Sequence, residues 1–203
     1  MKKAQKLIDF IKADVKANGG KLVLHKTKSV KWGSESSNGF FDESDVSLHV
    51  ATNYDIKDWL GILVHEYCHF QQYLENCYQW RICYDPIDVF ELFEDVLKPN
   101  VKYDPDLVHR SFNAIRNLEL DCERRTVKML KEFNSPINVT KYCQGASAYV
   151  FFYNYVSKHK KWYKKDTAPY RVKAVYSRMP DNLNGRYDKM PKWMENLFAE
   201  HCV

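Results

Sequence analysis

The period of the hydrophobic pattern changes along the chain and predicts one helix followed by several short strands. Apolar residues recur at helical spacing over residues 3–17, and Asn18-Gly19-Gly20 ends that helix. Residues 21–30 are rich in β-branched and apolar side chains, and the two segments 40–44 and 45–52 follow with short β-type patterns. Residues 32–39, which lie between segments 21–30 and 40–44, predict a loop or hairpin in which Asn38-Gly39 forms a tight turn.

The pattern becomes helical after these strands. Residues 55–77 are apolar on nearly every side, which is typical of a buried helix. Two later helices begin with an Asp-Pro pair, in which the aspartate caps the helix and the proline occupies its first position. The first begins at Asp85-Pro86 and ends before Pro99, and the second begins at Asp104-Pro105 and continues to about Phe133.

The C-terminal third continues the helical block. Residues 140–162 predict another apolar helix, residues 166–190 are mostly irregular, and a last short helix follows Pro191. Together these elements predict an α+β protein with a small antiparallel sheet followed by helices. A length of 203 residues predicts one domain over residues 1–203.

Composition and the cysteine pattern indicate the cellular compartment in which we expect the protein. The first 20 residues carry charges throughout and lack an apolar signal-peptide core, and apolar runs fall well short of the ~20 residues that a membrane span needs. The six cysteines include no C-x-x-C pair and mostly lie in apolar helical patterns, as buried free thiols do in a reducing compartment. We therefore expect a cytoplasmic protein with no membrane partner.

The net charge of +5 conceals a strong asymmetry. Residues 42–106 hold 14 acidic and 4 basic residues, whereas residues 158–192 hold 11 basic and 3 acidic residues interleaved with aromatic side chains. Such a basic, aromatic-rich segment is compatible with binding to nucleic acid or to an acidic protein surface. A solvated basic face near the acidic part of the same molecule explains the pattern equally well.

The helix at residues 55–77 contains the motif His65-Glu66-Tyr67-Cys68-His69. Histidines four residues apart lie on one helical face, so both imidazoles can reach one zinc ion at about 2.0–2.1 Å. The glutamate beside the first histidine is then placed to act as a general base on the zinc-bound water. The alternative is a pair of core histidines, which would be costly to bury among apolar neighbours without partners.

A catalytic zinc usually has three protein ligands and one open position. On a helix starting at Asp104, Glu119 lies at the centre of the apolar face, Glu123 borders it, and Asp121 lies on the opposite side. A carboxylate on a buried face needs a partner, either a metal ion or a basic side chain. Glu75 is a second candidate for the third ligand, but the helix break that this arrangement requires is absent because Gln72 occupies the expected glycine position.

These two segments, "HEYCH" and "NLELDCERR", resemble gluzincin zinc metallopeptidases, in particular the small minigluzincin and ImmA/IrrE-like group that phages and bacteria often encode. The resemblance covers residues 55–77 and 112–130 and implies a zincin-like fold. It implies Glu119 as the third zinc ligand and Glu123 as the acidic residue that holds a ligating histidine, although aspartate is commoner there. It also implies a peptide substrate that lies as an extra strand on the edge of the sheet.

We therefore expect zinc-dependent hydrolysis of peptide bonds, with Glu66 activating the water. An oxyanion-stabilising partner is also expected, and His109, Tyr149, Tyr153 and Tyr170 are candidates among which the sequence does not choose. Two alternatives are a zinc-binding regulatory protein without hydrolytic activity and a nucleic-acid-binding protein that uses the basic segment 158–192. The sequence names neither a substrate nor an oligomeric state.

Overall fold

The computed structural model describes residues 2–33, 35–98 and 101–203. Eight helices and five strands lie in these ranges. The helices are α1 (Lys2–Ala17), α2 (Ile56–Leu74), α3 (Tyr78–Arg81), α4 (Val89–Leu97), α5 (Pro105–Glu132), α6 (Val139–His159), α7 (Lys173–Tyr176) and α8 (Lys192–His201). The strands are β1 (Lys21–His25), β2 (Val30–Trp32), β3 (Glu35–Ser37), β4 (Gly39–Asp42) and β5 (Ser47–Ala51). The protein is α+β, mainly helical with a small amount of sheet, as its sequence predicts.

The strands form one three-stranded sheet and one two-stranded ribbon. In the larger sheet the order is β1-β5-β4, with β1 parallel to β5 and β4 antiparallel to it. The predicted purely antiparallel sheet is therefore wrong. The parallel pairing arises because the chain makes the β2–β3 ribbon and β4 before β5 returns beside β1.

The predicted tight turn at Asn38-Gly39 is also misplaced. The hairpin connects β2 to β3 and turns at Gly33, whose φ of 58° lies in the left-handed region. Asn38 and Gly39 instead carry the chain from the ribbon into β4, where Gly39 pairs with Val50 of the central strand. A glycine is indeed used for the hairpin turn, but it is Gly33, six residues before Gly39.

Capping contacts explain where the helices begin. Asp55 caps α2, and its side chain accepts a hydrogen bond from the Lys57 amide. Asp104 caps α5 in the predicted way, because its Oδ1 accepts hydrogen bonds from the Asp106 and Leu107 amides. The predicted start of α4 at Asp85 is wrong, since Asp88 makes the capping contacts with the Phe90 and Glu91 amides. Pro99, the predicted stop, lies outside the described residues.

The chain divides into two compact units, with the boundary inside α5 after Glu123. The first unit comprises the chain up to Cys77 together with Arg124–Val139. Its core is built from α1, the sheet and α2. A hydrogen bond of 2.7 Å from the Tyr67 hydroxyl to Asp14 joins α2 to α1.

The second unit, Tyr78–Glu123 and Thr140–Val203, has an aromatic core centred on α6. The fully buried Phe152 ring lies 5.2–5.8 Å from four other rings. These are the rings of Tyr155, Trp162, Tyr163 and Phe198. Several aromatic side chains of the basic segment 158–192 thus pack inward, so they are not a row of exposed rings for stacking on bases. Binding of nucleic acid or an acidic protein by this segment stays a prediction.

Two further properties follow from the described residues. None of the six cysteines, all of which are among the described residues, forms a disulfide bond, and five of them are buried. No helix in the described ranges combines the length and the apolar character that crossing a membrane requires.

Candidate metal centre

Helix α2 brings the two motif histidines together. His65 and His69 lie one turn apart, both half-buried, and their Nε2 atoms are 3.1 Å from each other. The two rings are nearly perpendicular, with their centroids 4.7 Å apart. Two nitrogens at about 2.0–2.1 Å from one tetrahedral zinc ion would be roughly 3.3 Å apart. The observed separation is therefore close to that of two ligands on a single metal ion.

Gln72 determines which ring nitrogen of His69 donates a hydrogen bond. The His69 Nδ1 atom lies 2.8 Å from Gln72 Oε1, and the glutamine side chain is fully buried. Because an amide oxygen only accepts hydrogen bonds, Nδ1 carries the proton and Nε2 keeps its lone pair. Outer contacts of this kind orient metal-ligating histidines in known sites. Sequence analysis considered Gln72 only as a missing glycine, and the signal for its role was its position one turn beyond His69.

Glu66 lies against the first residue of strand β4. Only 9% of the residue is exposed. A Cβ atom placed on Gly39 would lie 3.3 Å from Glu66 Cγ and 2.7 Å from the Ile62 side chain. The absence of a side chain at residue 39 therefore makes room for Glu66 beside the edge strand.

The structure adds a residue that sequence analysis missed. His65, His69 and Cys122 each offer one ligand atom, and these atoms all lie within 4.8 Å of one another. Cys122 is fully buried on α5. Imidazole nitrogen and thiolate sulfur are both common ligands of zinc and other transition metals. This group of three side chains could therefore hold a metal ion.

The signal for Cys122 was present in the sequence. It lies three residues after Glu119, on the same predicted helical face. Sequence analysis assigned it to the apolar stripe because buried free cysteines are common.

Glu119 and Glu123 are both buried in α5, with exposed fractions of 7% and 5%. Glu119 is not a member of the three-residue group, and its role as the third ligand stays a prediction. The Tyr142 hydroxyl donates a hydrogen bond of 2.7 Å to Glu123 Oε2. The role of Glu123 in holding a ligating histidine also stays a prediction.

Glu75, the alternative third ligand, has a different partner. It caps the C-terminus of α2, and its carboxylate lies 2.8 Å from the Arg125 guanidinium. Its side chain is 53% exposed. An exposed carboxylate engaged with arginine is a poor candidate for a buried metal centre.

Three candidates for an oxyanion partner lie close together in the second unit. The hydroxyl groups of Tyr149 and Tyr153 are 2.7 Å apart, and the Tyr170 ring packs edge-on against Tyr149. Burial, together with the nearby Glu119 carboxylate, raises the pKa of Tyr149 and of Tyr153 well above the usual value. Both phenols therefore stay protonated at neutral pH, and because one hydroxyl donates to the other, one O–H of the pair is available to donate to a third group. The fourth candidate, His109, is exposed and bonds Asn113.

A second histidine pair lies on the sheet, away from the motif. His25 Nε2 is 2.9 Å from His49 Nδ1, and His49 Nε2 is 2.9 Å from the Ser47 hydroxyl, which in turn bonds Asp45. The Phe40 ring stacks on His49 at 4.7 Å. These contacts give His25 and His49 structural roles within the sheet.

The sheet pair predicts a pH dependence of stability. Burial and the adjacent His25 lower the pKa of His49 below its ordinary 6.5, against the opposing effect of Asp45 and Asp42. As the pH falls below about 6.5 the unfolded chain binds the proton first, so the free energy of unfolding should decrease until the pH reaches the lowered folded-state pKa. We expect the urea midpoint to fall more between pH 7.5 and pH 5.5 in the wild type than in His49→Gln. An equal fall in both proteins would contradict this assignment.

Comparisons of this chain with protein-family profiles, with curated proteins and with solved structures gave no match.

Proposed function

We propose that this protein is a zinc-dependent peptidase that hydrolyses peptide bonds in protein or peptide substrates. The observation that carries the proposal is the convergence of His65 Nε2 and His69 Nε2 to 3.1 Å, with the His69 ring held by Gln72. Two histidines one turn apart on a helix, with their Nε2 atoms this close, would form two-thirds of the ligand set of a catalytic zinc site.

The donor set fits zinc. His65 and His69 would provide two nitrogen ligands, and the third ligand is either Glu119, as the gluzincin resemblance implies, or Cys122, which the ligand distances favour. Carboxylate oxygen and thiolate sulfur both occur as third ligands in catalytic zinc sites. With three protein ligands, one coordination position stays open for water.

Zinc at this position would supply a Lewis acid that polarises the substrate carbonyl and makes bound water more acidic. Glu66 accepts the proton of the attacking water and passes it to the leaving nitrogen as the peptide bond breaks. The buried setting of its carboxylate limits competition from bulk water. A tyrosine hydroxyl of the Tyr149–Tyr153 pair is the donor we favour for the developing oxyanion, because burial keeps it protonated.

Strand β4 is the part of the sheet that we propose for substrate binding. It is an edge strand in the order β1-β5-β4, and it begins at Gly39, beside Glu66. An extended peptide that hydrogen-bonds to this edge would pass the general base Glu66 at the start of β4, beside Gly39. The register of such a peptide is set by main-chain contacts, which agrees with a substrate class of unfolded or extended segments.

The presence of two buried candidate ligands on α5, Cys122 and Glu119, favours a second candidate function. This function is that of a zinc-binding regulatory protein without hydrolytic activity. If Cys122 and Glu119 both coordinated zinc together with the two histidines, the metal would have four protein ligands. Closed four-ligand sites are typical of structural zinc, which has no open position for water. The number of protein ligands therefore separates the two functions.

Metal analysis of purified variants tests the ligand set. We expect one zinc per wild-type chain in protein prepared without chelators or a polyhistidine tag. Loss of zinc in only one of Glu119→Gln and Cys122→Ser would identify the third ligand and support the open, catalytic site. The affinity loss should exceed the roughly 10–100-fold that removal of an outer hydrogen-bond partner causes.

Two matched variants control for nonspecific effects. Glu132→Gln makes the same change at the exposed end of α5, and Cys143→Ser replaces another buried thiol. Both should retain zinc. Loss of zinc in both Glu119→Gln and Cys122→Ser would favour the regulatory protein, and a folded wild type that binds no added zinc would refute both functions.

A further inference from the structure

Among the described residues, no carboxylate forms an ion pair with Arg116, a buried arginine of the second unit. Arg116, on α5, is only 5% exposed. Its guanidinium donates hydrogen bonds to the side-chain oxygens of Asn113 and Asn154 at 2.7 Å and to that of Asn117 at 3.2 Å, while its Nε atom has no partner. Amide oxygens satisfy the N–H groups but leave the positive charge uncompensated, which is costly in a buried position.

The carboxylate that acts on the charge of Arg116 already forms an ion pair with another arginine. Asp188 is close enough to act on the charge of Arg116, but its carboxylate lies 2.8 Å from the exposed Arg186 guanidinium. Burial lowers the pKa of Arg116, which shows that its surroundings disfavour the charge more than Asp188 supports it. An additional anion nearby would offset this cost.

The amides around Arg116 reach the wall of an open cleft. The cleft has a volume of about 750 Å³, and its lining includes Asn154, which holds Arg116, and His109, which bonds Asn113. Three lysines line the same cleft: Lys102, Lys158 and Lys160. A buried cation and three surface lysines thus lie around one space within a single compact unit, and the carboxylates of Asp188 and Glu195, paired with Arg186 and Lys158, line it as well.

Among the described residues, Lys160 is the lysine best placed for a ligand. Its ammonium lies 5.2 Å from the centre of the Phe112 ring and bonds only the Ser157 backbone oxygen. Lys158, in contrast, lies 2.9 Å from Glu195 and is neutralised by it. Lys160 is exposed to solvent, so an incoming anion can reach it.

We propose that this cleft binds a phosphate group, free or as a monoester, through Lys160, Lys102 and the Asn154 amide, with Arg116 providing charge from behind the wall. A doubly charged anion matches the cleft better than a single carboxylate, because within the described ranges neither Lys160 nor Arg116 forms an ion pair with a carboxylate. The proposal is independent of the peptidase function.

Titration calorimetry with inorganic phosphate tests the proposal on the full-length protein at constant ionic strength. We expect saturable 1:1 binding to the wild type, at least tenfold weaker binding to Lys160→Gln, and weaker binding of acetate than of phosphate. Lys161→Gln is the matched control, since it removes the next lysine, which does not line the cleft, and should bind as the wild type does. Glycerol phosphate, used in parallel, shows whether a monoester enters as well as free phosphate.

Three results would overturn the proposal. The first is the absence of saturable binding up to about 10 mM phosphate. The second is the same loss of phosphate affinity in Lys160→Gln and in Lys161→Gln. The third is binding of acetate as tight as that of phosphate. Phosphate held by a metal ion at the histidine pair would be insensitive to Lys160→Gln. The variants therefore separate the cleft from the candidate metal centre.

Discussion

Replacing Glu66 by glutamine should reduce peptide hydrolysis by roughly 10²–10⁴-fold while the protein keeps its zinc and its fold. Glutamine preserves the size of the side chain, so its packing against Gly39 and the edge strand should persist. It cannot accept the proton of the attacking water, because an amide is not basic near neutral pH. The proposed zinc ligands are other residues, and metal content should therefore stay at the wild-type level.

The measurement is the rate of cleavage of an unfolded protein such as reduced casein, together with zinc content and thermal unfolding of the same samples. Glu75→Gln is the matched control, since it makes the same change on the same helix at an exposed residue paired with Arg125. It should cleave at the wild-type rate. Equal rates for wild type and Glu66→Gln would contradict the role of Glu66, whereas zinc binding without cleavage of any substrate would favour the regulatory function.

Local sequence signals were sufficient for the part of the site that lies on one helix. The spacing of His65 and His69 fixes which face they share, and the capping aspartate at residue 55 fixes where the helix begins. Helical geometry depends on residues within a few positions of each other, so the convergence of the two imidazoles follows from the sequence alone. The same reasoning placed Glu119 and Glu123 on the buried face of α5.

Contacts between distant residues could not be read in this way. The proximity of Gly39 to Glu66 depends on how β4 packs against α2, and no spacing rule predicts it. The sequence context of Cys122 is that of an ordinary core thiol, and no spacing rule relates it to His65 and His69, whose ligand atoms lie within 4.8 Å of its own. The prediction of where α4 begins failed for a different reason. Asp85-Pro86 precedes the helix, and the Asp88 side chain accepts the capping hydrogen bonds from the Phe90 and Glu91 amides.

Gly39→Ala should lower both stability and activity, because the edge strand and α2 leave too little space for a side chain at residue 39. The new Cβ would lie 2.7 Å from the Ile62 side chain and 3.0 Å from the His49 carbonyl oxygen. Ile62 can shift, but the carbonyl belongs to the central strand β5, whose pairing with β4 would have to distort. Overpacking of this kind costs about 1–3 kcal/mol in the free energy of unfolding.

The effect on activity follows from the third contact. The added Cβ would lie 3.3 Å from Glu66 Cγ, so relaxation at residue 39 would move the proposed general base relative to the edge strand. Displacement of a catalytic group by about 1 Å can cost on the order of 10²-fold in rate. We expect the loss in kcat rather than in zinc content, because none of the atoms that the new Cβ meets belongs to His65 or His69.

Gly145→Ala provides the matched control for this prediction. Gly145 is buried inside α6, and a Cβ there would make ordinary contacts of 3.6–3.7 Å with Tyr170. Alanine is a better helix former than glycine by about 0.5–1 kcal/mol, so this variant should be as stable as the wild type or more stable. Urea unfolding and cleavage rates of the two variants then distinguish a general intolerance of buried glycine substitutions from a specific constraint at residue 39. If Gly39→Ala unfolded and cleaved as the wild type does, Glu66 would not depend on the close approach of β4 to α2, and the edge strand would lose its structural link to the general base.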